Sequence, residues 1–164
     1  MSDQSTRAIA LESCQRGDLG GLKRLLDAHP APDTPPPTSE MLVTACKAKH
    51  ISVLQYLLER DPNTKSSLEL HKAAFQGGVD VYSVILEKFP ELKQETFGHQ
   101  ADPISQAVSD NDIVMLEFLL DNGFDVKTSH FCYVPVLVFA QQQDSPEEII
   151  HLLKKWGATD ELSL

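Results

Sequence analysis

Residues 102–126 read DPISQAVSDNDIVMLEFLLDNGFDV, and this stretch decides the fold. From Val114 onward, Val114, Leu116, Phe118, Leu119 and Leu120 form a broad apolar face at helical spacing. Asn122-Gly123 closes that helix, as a residue tolerant of left-handed backbone does at a C-terminus. A shorter segment around Ala107-Val108 precedes it, and Asn111 stands between the two, where a tight turn is needed. The stretch therefore predicts two short helices joined by a turn.

The same pattern recurs along the chain. Leu119–Leu120 has counterparts at Leu25–Leu26, Leu57–Leu58, Ile85–Leu86 and Leu152–Leu153, in steps of 32, 28, 34 and 33 residues. Twelve or thirteen residues before each pair stands a second marker of small or apolar residues: Ser13–Cys14, Ala45–Cys46, Ala73–Ala74, Ala107–Val108 and Phe139–Ala140. Two markers in step through five units define an internal repeat. Gly17-Asp18 and Gly77-Gly78 fill the turn in units one and three, with Lys49, Asn111 and Gln143 in the same place elsewhere. Ser145-Pro146-Glu147-Glu148 reads as an N-cap, a proline at the first helical position and an acid at the third, and Lys154-Lys155 followed by Gly157 as the matching end. Pro30 and Pro90 end the second helices of units one and three. No stretch sustains period-two alternation, so no real sheet is expected. Pro30–Ser39, PAPDTPPPTS, holds five prolines in ten residues and predicts an extended connector between units one and two. Composition leaves open whether it is a stiff linker or a docking peptide.

These markers resemble the ankyrin repeat, a unit of about 33 residues with a T-P-L-H-x-A core. The likeness rests on Asp102-Pro103-Ile104-Ser105-Gln106-Ala107, Val134-Pro135-Val136-Leu137, Leu70-His71-Lys72-Ala73-Ala74, Ala45-Cys46 with His50, and the endings LLDNGFDV and LLKKWGATD. No unit carries the full Thr-Pro-Leu-His, and unit one departs furthest, as terminal repeats do. The resemblance implies an all-α, ankyrin-type solenoid of about five helix–turn–helix repeats in one domain. Their bounds are near 6–29, 40–61, 68–90, 102–126 and 134–160. It also implies a concave groove lined by first helices and loops, by which members mostly bind proteins.

Mapped residue by residue, that groove is expected to carry Gln15, Arg16, Lys47, Ala48, Phe75, Gln76, Ser109, Asp110, Gln141 and Gln142. The loop before unit four adds Phe97, His99 and Ala101, and that before unit five adds His130, Phe131 and Tyr133. Aromatic side chains anchor interfaces because they bury large area with few rotors, so at least two of Phe75, Phe97, Phe131 and Tyr133 are expected to be exposed. His71 sits at the family's histidine position and reads as structural, and His50 as a turn residue.

Charge narrows the classes of partner. The chain has 164 residues and a net charge of −10, unevenly spread: residues 1–100 carry 13 acids against 11 bases, and residues 101–164 carry 11 acids against 3. Such acidity opposes binding to phosphate backbones and favours a basic protein partner. Cys14, Cys46 and Cys132 are odd in number and widely spaced, which suits a reducing compartment, cytoplasmic or nuclear. The opening MSDQSTRAIALESCQRGD lacks the apolar core of a signal peptide, and no segment has the ~20 apolar residues of a membrane span. His130-x-Cys132 lacks a second ligand pair, so no metal or other cofactor is expected. No phosphate loop, nucleophile elbow or His-Glu-x-x-His motif marks a catalytic residue. Two readings follow: a protein-binding scaffold, or a small-molecule site, catalytic in the extreme, built from Phe75, His99, His130, Phe131 and Tyr133. A third, self-association, needs an exposed apolar face that the sequence does not reveal.

Overall fold

The structure, a computed structural model, describes residues 3–28, 37–97 and 102–161. Pro30–Pro36 of the proline-rich connector, and His99 and Ala101 of the proposed groove, lie outside the described residues. The chain divides into two compact units, residues 1–90 and 91–164.

In the first unit the helices are α1 (Asp3–Arg16), α2 (Leu19–Ala28), α3 (Thr38–Lys47), α4 (Ile51–Arg60), α5 (Leu68–Gly77) and α6 (Val79–Lys88). The second opens on a 3-10 helix that begins at Pro90 and runs to Gln94. It continues with α7 (Pro103–Ser109), α8 (Ile113–Asp121), β1 (His130–Phe131), β2 (Val134–Pro135), α9 (Val136–Gln142) and α10 (Glu147–Lys155). The molecule is thus mostly helical, with one correction to the sequence reading. A small antiparallel ribbon is present, pairing His130 with Pro135 and Phe131 with Val134. Two residues per strand are too few to leave an alternation signal. Among the described residues, no helix is long and apolar enough to cross a membrane.

Each helix pair closes through one backbone device. A residue with positive φ stands between the helices: Gly17 at 72°, Lys49 at 60°, Gly78 at 95°, Asn111 at 52° and Asp144 at 54°. In four pairs the following amide reaches back five residues: Asp18 to Ser13, His50 to Ala45, Asp112 to Ala107 and Ser145 to Ala140, at 2.9–3.0 Å. Two expectations shift here. Gln143 keeps φ −92°, and the left-handed residue is Asp144, whose short side chain tolerates that region better. Ser145 does not cap α10, because its hydroxyl accepts instead from Gln143 Nε2 at 2.7 Å and Pro146 takes the cap position.

The third pair has a shorter turn, with Gly78 alone between α5 and α6. Gly77 permits it. A Cβ there would come within 2.8 Å of the Val81 side chain and 2.9 Å of the Cys46 carbonyl oxygen on α3. Small residues thus let α5 lie directly against α3.

The apolar markers form the core. In every pair the second residue of the leucine marker is buried: Leu26, Leu58, Leu86, Leu120 and Leu153. The small-residue marker is buried in the first four pairs; in the fifth, Ala140 is buried while Phe139 is only half-buried. In the first unit α1 packs on α3, α3 on α5 and α4 on α6; in the second α7 packs on α9 and α8 on α10. First helices therefore meet first helices, and second helices meet second helices. Side-chain caps start several helices: Asp18 on Gly21 N, Ser67 on Leu70 N, Asp102 on Ser105 N and Asp112 on Met115 N.

Leu119 is fully buried in the second unit. Leu119→Ala removes its methyl groups and leaves a cavity, so it should cost about 2–5 kcal/mol. Urea titration checks this, and a loss under about 0.5 kcal/mol would place Leu119 outside the core.

Candidate functional site

The second unit assembles its exposed chemistry around a hairpin. Asp125 Oδ1 accepts from Lys127 N at 2.9 Å and bends the chain after α8, and Val136 N donates to Ser129 O at 3.1 Å and closes the base of the loop. Between the strands Cys132 and Tyr133 form the tip, with φ of 49° and 67°. Two successive positive φ values are the signature of a two-residue hairpin turn that normally selects Asn-Gly. Cysteine and tyrosine in those positions hold roughly 1 kcal/mol or more of strain each.

What holds the strained tip is Asp102, the cap of α7. Its Oδ1 accepts from Ser105 N at 2.9 Å and Ser129 Oγ at 2.8 Å, and its Oδ2 from His130 N at 2.7 Å. The Asp102 amide donates to Ser105 Oγ at 3.0 Å, completing a capping box. One carboxylate thus starts a helix and fixes the loop 27 and 28 residues further on. His130 Nδ1 lies 3.2 Å from Thr128 O and 4.0 Å from Asp102 Oδ2.

Ring stacking orders the tip further. His130 stacks on Tyr133, centroids 5.9 Å apart at 19°, and Phe131 on Phe139, 4.3 Å apart at 10°. Tyr133 is 71% exposed, and Cys132 is exposed beside it. Phe131 and Phe97 are half-buried. Phe139, read from the sequence as part of a core marker, instead supports Phe131.

Within the second unit, the other residues expected in the groove lie apart from this hairpin. Asp110, exposed, accepts from Gln106 Nε2 at 2.9 Å at the far end of α7, beside half-buried Ser109. Gln141 and Gln142 are exposed at the far end of α9. A seven-residue helix separates these polar ends from the hairpin by about 10 Å. In the first unit Gln76, Gln15, Arg16 and Lys47 are exposed. Phe75 is the clear correction: it is 7% exposed, its ring set edge-on to Tyr82 at 5.7 Å and 80°. Of the four aromatic anchors expected, Tyr133 alone is exposed.

Two open grooves lie elsewhere. One of about 580 Å³ runs along α3 and the start of α5, past Glu40, Thr44, Lys47 and Glu69. The other, of about 740 Å³, lies between α8 and α10. Neither is lined by the hairpin residues.

The histidines read as turn and core residues occupy those places. His50 Nε2 donates to Gln15 O at 3.1 Å and covers Gly17. His71 is fully buried, stacked on Tyr82 with Nε2 at 2.6 Å from its hydroxyl. Burial lowers the His71 pKa to about 4 and raises that of Tyr82, because each charged form loses hydration. Burial likewise pushes the Cys14 thiol up to about 11 and that of Cys46 to about 12, which leaves both as inert core residues.

Two outcomes follow. Asp102→Ala removes three accepted hydrogen bonds and a helix cap, so it should cost about 2 kcal/mol or more in urea titration. It should also speed hydrogen exchange at the His130 amide, and unchanged exchange there would mean Asp102 does not hold the loop. His71 binds its proton only below the range where an unfolded histidine does. Its contribution is complete above pH 6.5 and is lost as pH falls from there to about 4. That loss amounts to about 3 kcal/mol. Urea midpoints at pH 7 and near pH 4 should show this drop, and His71→Gln should flatten it.

No protein-family model matches this sequence, and no curated protein matches it at a significant level.

Proposed function

We propose that the chain is an ankyrin-like array of helix pairs that binds another protein through the hairpin and first-helix face of its second unit. Support for the array comes from spacing. Side-chain ties join residues about one repeat apart: Arg7 to Glu40 at 33 residues, Arg60 to Leu26 O at 34, His50 to Gln15 O and Gln143 to Val108 O at 35. A solenoid requires this, since each repeat touches only its neighbours. Asp102-Pro103-Ile104-Ser105 stands where the family's Thr-Pro-Leu-His stands, and Asp102 caps its helix while bonding the next loop.

The observation that carries the binding reading is Tyr133. A large ring, 71% exposed, sits on a strained turn whose base is tied by two hydrogen bonds to one carboxylate. The ring leaves most of its surface open to water even while stacked on His130, and an interface would gain from it a rigid anchor with little ordering left to do. The partner that fits is basic, because residues 101–164 carry 11 acids against 3 bases.

Affinity capture supplies the partner, and surface plasmon resonance tests the site. Tyr133→Ala should weaken binding about tenfold or more, chiefly by faster dissociation. Asp110→Asn should chiefly slow association at low salt. Unchanged kinetics in both variants would remove this face from the interface.

A further inference from the structure

Helix α10 reads Glu147-Glu148-Ile149-Ile150-His151-Leu152-Leu153-Lys154-Lys155. Reflection about His151 exchanges each acid for a base and each aliphatic residue for another: Glu147 for Lys155, Glu148 for Lys154, Ile150 for Leu152. The structure sorts these residues by face. Ile149 and Leu153 are buried in the second unit; Glu147, Glu148, His151, Lys154 and Lys155 are exposed, at the i, i+3, i+4 and i+7 spacing of one helix stripe. Ile150 and Leu152 lie half-buried beside the stripe.

This face forms one wall of the open groove of about 740 Å³ between α8 and α10, whose floor and opposite side include Ile113 and Glu117. Val114, next to it on α8, is 63% exposed. Among the described residues, none of the five charged side chains lining this groove joins an ion pair within 4.0 Å. Acids early and bases late complement the helix dipole. The dipole does not account for the apolar floor, or for aliphatic residues placed symmetrically between the charges.

We propose that a second copy of this chain docks in this groove, its α10 lying antiparallel to the first about a two-fold axis through His151. In a two-fold contact residue i meets j and j meets i. Glu147 and Glu148 of each copy then face Lys154 and Lys155 of the other, with Ile150 and Leu152 along opposite edges of the contact. Four exposed charges gain partners that neither chain supplies alone. The net charge of −10 on each copy opposes the encounter, so the association is weak and depends on these local pairs.

Light scattering on the full chain reads the result. Between about 5 µM and about 500 µM its mass should rise from 18.2 kDa toward twice that value. The double variants Glu147→Lys/Glu148→Lys and Lys154→Glu/Lys155→Glu should each stay monomeric over that range. An equimolar mixture should form a dimer containing one of each, because four bases then face four acids. A wild-type mass fixed at 18.2 kDa would overturn the proposal. So would a reversed variant that associates as well as wild type, or a mixture of the two folded variants that stays monomeric. Zero-length carbodiimide cross-linking of mixed isotope-labelled and unlabelled wild-type chains needs no variant. It should join Glu147 of one copy to Lys155 of the other, which are about 12 Å apart within a single helix and out of reach there. A cross-linked wild-type dimer lacking every link from Glu147 or Glu148 to Lys154 or Lys155 would also overturn it.

Discussion

Each helix pair depends on one residue held with positive φ between its helices. That single backbone state reverses the chain within one to four residues and, in four of the pairs, lets the next amide close on a carbonyl five residues back, as at Asp18, His50, Asp112 and Ser145. With the reversal in place, the leucine pair of the second helix comes down on the small residues of the first. Glycine meets the requirement without strain at Gly17 and Gly78, while Asn111 and Asp144 meet it with short polar side chains. Lys49 meets it with neither, and its neighbour His50 compensates by bonding back to Gln15 O.

The hairpin of the second unit inverts this economy. At Cys132 and Tyr133 the left-handed state falls on two residues that adopt it poorly, in an exposed loop with no core to enforce it. The compensation is polar and local: Asp102 serves one helix start and two groups of the loop, and paired rings stiffen the strands. Strain balanced this way yields a loop that is ordered before any partner arrives, which is the physical basis of the proposed binding role. The acidic balance around it acts differently, over longer range and on the approach rather than on the final contact.

The same unit carries a second exposed pattern on its second helices. There the charges are arranged by sign along α10 rather than gathered into one field. The two proposed surfaces thus differ in charge pattern, one set in a net acidic surrounding and the other carrying acids and then bases along α10.

Periodicity by itself determined the helices, their pairing and the buried leucines, because one apolar face repeated every 28–34 residues admits few other arrangements. The resemblance to ankyrin repeats, rather than periodicity, pointed to His130, Phe131 and Tyr133, which one hairpin does bring together. Tertiary structure alone decided the rest. Phe75 turned inward because Tyr82, seven residues on, offered its ring a partner in the core, and no local pattern encodes that choice. Phe139 left the core because Phe131 stacks on it, and Asp144 took the turn while Gln143 reached for Val108 O. Asp102 is one acid among 24 in the sequence; its importance exists only once folding brings Ser129 and His130 to its oxygens. Side-chain direction at a repeat's edge depends on what lies across from it in space, and a one-dimensional pattern carries no record of that neighbour.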